Sequence, residues 1–548
     1  MILVLLSFTA KGQSFRIEDF KKNFSKEEWF KASGSISLQG TYYTAKPSYG
    51  HDPWNYYLNG NVNFNLFNLI NLPLSVSLTN SGMHYAYPNL PNRFSIHPSY
   101  KWITVHAGDI SMSYSPYTLG GHQFTGGGID LTPDNWNISF MCGRMQKPVE
   151  FDSTNTYTTV LAAYRRWGIG GKVRYDHKFF YLGANMFLAK DNENSLDWKP
   201  DSLGIKPQKN LTSGFEAGFT LFKSLQLSGE YAFSFLKMDI RNEDKMNFYQ
   251  AFKVAADYSI KTHTIGVSYE RVDPFYKSLG AYYFENDIEK ILLNYSGSVA
   301  KQKLSYNLSL GLQRNDLKKT SSDKRTYFAG SFNINANPIE NWRLSAGYSN
   351  MRNYQRVKSQ FDYINEFNIS ENADTLTCAQ VSHQANFSTS YTIKEGESRT
   401  HAINLSGTYH LMDVNQLAVE DKKSISSMIN ASLGYSLQFL PQSVGLDISV
   451  NYTDTKQTDN QIDYVGPTLG IRASFLEKTL NLSASLSTNA GFTNSVYNQL
   501  ISNARISLSY TLKKKHCFAF STLGQYKYYK EKKNSFLYNA SLTYTFSF

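Results

Sequence analysis

Residues 535–548 read SFLYNASLTYTFSF, and this order decides the fold. Phe536, Tyr538, Ala540, Leu542, Tyr544, Phe546 and Phe548 share one parity. Asn539, Ser541, Thr543, Thr545 and Ser547 share the other, with Leu537 as an apolar intruder. Successive side chains of a strand point to opposite faces, so the stretch is a ribbon with one greasy face and one small polar face. A soluble sandwich strand alternates in the same way, with its apolar face in a core. The aromatic weight of one face and the Ser/Thr/Asn character of the other argue instead for lipid on one side and water on the other.

The ending Tyr544, Phe546, Phe548 also resembles the C-terminal assembly signal of bacterial outer-membrane β-barrel proteins, a strand that closes on an aromatic residue. Upstream the same alternation recurs. Leu304, Tyr306, Leu308, Leu310 and Leu312 alternate with Ser305, Asn307 and Ser309. Leu446, Ile448, Val450 and Tyr452 alternate with Asp447, Ser449 and Asn451. Glu230, Lys253, Asp257, Arg343, Asp447 and Arg472 sit on the polar parity. Burying so many charges in a core is costly, so that face meets water.

A soluble chain of 548 residues divides into several domains. Here no linker or change of composition marks a boundary, Pro is scarce at 15, and Tyr and Phe are abundant at 39 and 36. One repetitive β architecture over residues 32–548 fits better. With no apolar run long enough for a helix to cross a bilayer, a helical membrane protein is excluded, but a barrel is not. The net charge of +11 is spread over turns and loops, which suits lipid headgroups better than a nucleic-acid surface. Cys142, Cys378 and Cys517 are too far apart for a disulfide framework or metal spacing, and no cofactor is expected.

The N-terminal residues 1–13, MILVLLSFTAKGQ, read as a signal peptide lacking its basic start, cleaved near Gly12 or Gln13. Residues 14–31 then read as a short amphipathic helix or periplasmic tail carrying Phe20, Phe24 and Trp29. Beyond them, connections alternate between short and long. Residues 513–515, 476–478 and 440–442 are tight; 530–535, 493–500, 455–463, 412–424 and 354–377 are long. Outer-membrane barrels have this asymmetry, with short periplasmic turns and long outer loops. The count is about 26 strands, or about 24 if the prolines between residues 55 and 132 remove a hairpin, with both termini on the short-turn side.

The least repetitive stretch is residues 108–131, GDISMSYSPYTLGGHQFTGGGIDL. Ser115, Pro116, Tyr117, Gly120, Gly121, His122 and the triplet Gly126, Gly127, Gly128 make it either a loop folded into the lumen or a kinked strand. No lysine follows the glycines, so it is a poor phosphate cradle. Together with FMCGRMQKPVE, AAYRRWGIGGKVRYD and FLAKDNENSL it is similar to a family of large outer-membrane β-barrel proteins of Bacteroidota, of poorly defined function. That family carries an aromatic where this chain has Cys142. The resemblance implies fold and location.

Arg144, Lys147, Arg165 and Arg166 form a candidate basic rim for sugar phosphate or lipid A, or simply exposed loop charges. His122 with Ser111, Ser113 and Ser115 is the one cluster that suggests a lipid-modifying enzyme, and catalysis is not expected. The leading expectation is a conduit for a bulky hydrated substrate, its lumen closed by loops, by the N-terminal segment or by a lipoprotein partner. The second is a surface-display barrel without transport. Expected partners are outer-membrane lipid, lipopolysaccharide and the barrel-assembly machinery; nucleic acid is not expected.

Overall fold

The computed structural model describes residues 29–47, 53–80, 92–150, 162–198, 201, 204–281, 285–315, 317–318, 326–350, 353–356, 378–414, 424–457 and 460–548. The expected signal peptide, most of residues 14–31 and most of the 354–377 and 412–424 loops lie outside them.

Among the described residues, twenty-eight antiparallel segments form one sheet that closes on itself. Arg93–Ile96 and Ser99–Tyr100 both pair with Ile70–Thr79 and Ile103–Ser113, so they share one strand position, broken at Pro98. Trp342–Ser349 and Asn353–Arg356 both pair with Cys378–Glu395 and share another. The barrel therefore has twenty-six positions. Proline lacks the N–H that a ladder needs, which is why the first of these breaks falls at Pro98.

Closure joins Phe30–Lys46 to Ser535–Ser547, in register from Ser35 opposite Ser547 to Lys46 opposite Phe536. Phe548 adds one more rung: Gly34 N donates to Phe548 O at 2.9 Å, and Phe548 N donates to Gly34 O at 3.1 Å. The last aromatic is thus part of the ladder that removes the sheet's edges.

The two parities separate as the alternation predicts. Leu542, Leu433, Leu486, Leu312 and Phe328 are exposed on the outer face, whereas Asn503, Gln525, Asn539 and Asn451 are buried on the inner one. An outward apolar belt on a closed antiparallel barrel is the signature of a chain that spans a membrane with strands.

Short turns use left-handed backbone: Phe67–Asn68, Phe222–Lys223, Ala300–Gln302, Leu476–Lys478 and Lys513–Lys514 all have φ between 49° and 68°. Positive φ twists a tight hairpin in the sense its strands need. Two loops expected to be long are not. Leu480–Thr493 and Val496–Leu512 leave only Asn494 and Ser495 between them, and Val444–Gln457 and Asn460–Phe475 leave two residues. The polar residues there continue strands that outrun the ~9–11 residues a bilayer requires. Beyond the bilayer both faces are wet, so apolar alternation fades while the ladder persists.

Candidate functional site

Two connections from the long-loop end turn down into the lumen and meet. The first, residues 114–119, joins Ile103–Ser113 to Gly120–Leu131; the second, described over residues 273–281 and 285–287, joins His263–Val272 to Ile288–Val299. Tyr117, Thr118, Leu119, Tyr276, Ser278 and Leu279 are nearly or fully buried. Gly120 N donates to Gly280 O at 3.0 Å, Tyr276 Oη donates to Tyr117 O at 2.9 Å, and Ser278 Oγ donates to Thr118 O.

The wall beneath them carries a row of charge. Register sets Glu216 opposite Glu230, Glu230 opposite Lys253, Lys253 opposite Glu270, and Glu270 opposite Lys290. Lys172 pairs with Glu216 at 3.0 Å, Arg174 with Glu216 at 3.3 Å and Lys290 with Glu270 at 3.1 Å. The loop is tied to this row. Ser115 Oγ donates to Glu230, Tyr117 Oη donates to Glu270 Oε1 at 2.6 Å, and Lys172 Nζ donates to Tyr114 O at 3.0 Å. Thr118 Oγ1 donates to Asn185 Oδ1 at 2.6 Å, and Leu279 N donates to Asn210 Oδ1 at 3.0 Å. Buried polar groups left without partners are expensive, so these bonds hold a polar loop in a crowded interior.

Apolar packing completes the brace. Ile110, Met112, Tyr114, Leu119, Phe124, Met141, Met145, Phe187 and Leu279 form one cluster; Tyr117, Val272, Tyr276 and Ile288 form another. Glycine makes the room. A Cβ on Gly170 would lie 3.0 Å from the Tyr114 ring, and one on Gly168 would lie 2.9 Å from Phe187. Burial, with the Glu270 carboxylate, pushes the Tyr117 phenol up; burial pushes Tyr276 up and the Lys277 ammonium down. Both phenols therefore stay neutral donors at physiological pH.

The sequence-derived residues fall as follows. Ser115 and Tyr117 lie at the centre of the brace. Pro116 lies in the turn between them, and Gly121, with φ of 68°, lets the chain leave it. Gly126, Gly127 and Gly128 are in the strand Gly120–Leu131, where a Cβ on Gly126 would collide with Cys142 O at 2.2 Å. His122 is buried, its Nδ1 2.5 Å from Gln123 O. The three serines considered with it are engaged elsewhere: Ser111 with Gly121 O, Ser113 with Leu119 O and Ser115 with Glu230.

The four basic residues do not share a face. Arg166 points inward and grips Asp191 with two bonds of 2.7 and 3.0 Å. Arg144 stands on the outer parity, 3.4 Å from Thr125 Oγ1. Lys147 is exposed, and Arg165 gives its backbone N–H to Ser195 Oγ at 2.9 Å. The motif-bearing stretches nonetheless meet: Val149 bridges Ala163, and Asp197 N donates to Glu150 Oε1 at 2.8 Å.

One inner-wall chain was not anticipated. Ser95 Oγ lies 3.1 Å from His97 Nε2, His97 Nδ1 2.8 Å from His106 Nδ1, and His106 Nε2 2.9 Å from Asp130 Oδ2. Ser139 Oγ donates to Asp130 Oδ1 at 2.5 Å. The shared parity of His106 and Asp130 was visible in the sequence, but the register that joins them was not. The chain satisfies polar groups beside the break at Pro98. Among the described residues no group of three or more His, Cys, Asp or Glu is arranged to hold a metal ion.

Comparison with solved structures finds large barrels. The P pilus usher (PapC) translocation pore has a TM-score of 0.39 and 10% identity over 94% of this chain and 98% of that one. The copper transporter OprC gives 0.37 and 9% over 93% and 80%, and a Rh. blastica porin mutant gives 0.27 and 10% over 56% and 98%. No family model and no curated protein matches the chain. Likeness at this level carries no argument about activity, so function rests on this chain's own lumen.

Proposed function

We propose that the chain is an outer-membrane conduit for a bulky hydrated substrate, closed on one side of its lumen by the inward loops. The observation that carries this reading is the contrast between two parts of the wall. From Arg165–Asp176 to Ile288–Val299 the inner face is filled by the braced loops and their charged row. From Val444–Gln457 through the closure to Trp54–Leu66 it carries mainly amides and hydroxyls, with the Arg472–Asp447 pair and Arg505 among them and Asn59 and Asn61 exposed to the lumen. A wall of that kind suits hydrated cargo. In this reading the short turns and both termini face the periplasm, and residues 1–13 are the signal peptide. Lipopolysaccharide and outer-membrane lipid surround the belt, the assembly machinery inserts it, and a periplasmic or surface lipoprotein supplies further gating. The resemblance to the Bacteroidota barrels fits this placement.

Single-channel recording in planar bilayers tests it. Replacing residues 115–119 with a short Gly/Ser turn is expected to produce larger and longer-lived openings than the native chain gives. Silence from both proteins removes the conduit and leaves a display scaffold, the reading favoured by the number of bonds that hold residues 114–119.

A further inference from the structure

The amide and hydroxyl side of the lumen contains a concavity that the braced loops do not reach. Cross-strand register puts a single row of polar residues along its floor: Arg472 opposite Ser483, Ser483 opposite Ser507, and Ser507 opposite Ser521. Beyond the cavity the row continues through Ser541, opposite Ser521, to Thr41 across the closure. Beside it Ser474 Oγ donates to Asn481 Oδ1 at 2.7 Å, and Ser521 and Ser541 share a hydroxyl bond of 2.7 Å. Gly445 stands opposite Arg472 at the row's end and leaves its floor open. The resulting cavity measures about 420 Å³, within the range of small-molecule sites.

Its one fixed charged device is a neutral pair. Arg472 Nε donates to Asp447 Oδ2 at 2.9 Å and Arg472 Nη2 to Asp447 Oδ1 at 2.7 Å. That fork fixes the guanidinium plane and leaves further N–H donors facing the lumen, where the Arg472 side chain is 63% exposed. The planar donors, the carboxylate acceptors and a line of hydroxyls offer alternating donor and acceptor positions, and the charges of the fork itself cancel.

We infer that this concavity is a binding site for neutral carbohydrate, an uncharged oligosaccharide whose hydroxyls pair with the serine row and with the Arg472–Asp447 fork. Asp447 cancels the charge of Arg472, which leaves Arg505, two residues from Ser507 on the same inward parity, as the cation a polyanion would meet, and one cation is a weak match for a polyanion. Every sugar hydroxyl is both donor and acceptor, and so is every serine in the row. The inference deepens the conduit reading by naming its substrate class and rests on that reading for its biological meaning, while binding itself does not depend on conduction.

The test is calorimetric titration of the full chain in detergent with size-fractionated dextran fragments, and separately with sulfated dextran fragments and a Gly/Ser peptide. Saturable binding of the neutral dextran alone is expected, weakened about tenfold or more in Arg472→Ala, the loss of hydrogen bonds from a charged donor. A double Ser483→Val, Ser507→Val variant is expected to weaken it again, with heat-modifiable migration in gels reporting that the barrel still forms. Equal or tighter binding of the sulfated fragments or the peptide overturns the assignment, as does no binding of dextran. Binding without currents in the bilayer experiment leaves the carbohydrate site standing and removes the conduit. Currents without binding do the reverse.

Discussion

Tyr117 Oη donates to Glu270 Oε1 at 2.6 Å, tying a buried loop residue to a strand 153 positions later in the chain. A carboxylate on the inner wall of a barrel normally faces water. Here Glu270 is covered by the loop it holds, with Lys290 as its counter-charge at 3.1 Å.

Removing that hydroxyl should loosen the brace without unfolding the barrel. Tyr117→Phe leaves Glu270 short of one donor, at a cost of about 1–3 kcal/mol. The cost falls on loop docking, because the ladder hydrogen bonds of both strands are untouched. Amide exchange of residues 114–119 should quicken while the flanking strands stay protected. Uniform loss of protection across the barrel is the result that contradicts this.

Closure by the first and last strands is tested with cysteines. Thr41 and Ser541 are directly opposite across the seam. Opposed residues of an antiparallel pair have Cα atoms about 4.5–5.5 Å apart, within reach of a disulfide. In a background lacking the three native cysteines, Thr41→Cys with Ser541→Cys should oxidise readily and change gel migration. A pair displaced by two residues, Thr41→Cys with Asn539→Cys, should oxidise poorly. Equal yields from both pairs would break the register.

The closure was legible because it depends on a local pattern: the parity of residues 535–548 and the terminal aromatic already state which face is greasy. The brace was only half legible. Pro116 and Gly121 announce a turn, and Glu230 and Lys253 announce a wet face, but Ser115 reaches Glu230 across 115 positions. No periodicity carries the register that brings them together. The same holds for Gly168 and Gly170, which look like weak strand residues until Phe187 and Tyr114 fill the space above them. The two misjudged connections failed for another reason: Val496, Tyr497 and Gln499 continue a strand beyond the membrane, where hydropathy no longer alternates.

Acid should release one junction between loops. Hydrogen bonds from Arg241 hold the Asp201 and Asp239 carboxyls below their usual range, and the same bonds raise the Arg241 guanidinium. A depressed carboxyl pKa stabilises the folded form above the unfolded value of about 4 and loses that contribution as pH falls through the folded value. Arg241 N, which donates to Asp239 Oδ1 at 3.1 Å, should lose exchange protection below about pH 4 after correction for intrinsic rates. In Asp239→Asn the profile should flatten. An unchanged acid transition in that variant would assign the effect to other groups.

The outward belt is tested by two neighbours on one strand. Leu542 is 60% exposed on the apolar face, and Ser541, the preceding residue, turns inward to share a hydroxyl bond with Ser521. An arginine on the lipid face near the midplane costs about 2–4 kcal/mol, whereas the lumen face tolerates charge. Leu542→Arg should therefore fold into liposomes with a stability lower by about that amount, read from urea titration of heat-modifiable migration. Ser541→Arg places the same charge one residue away, in water, and should fall within about 1 kcal/mol of the native chain. Since strand, propensity and neighbours are shared, the difference isolates what each face touches. A larger penalty for Ser541→Arg would mean that the faces are inverted and the amide-rich wall is not the wet one.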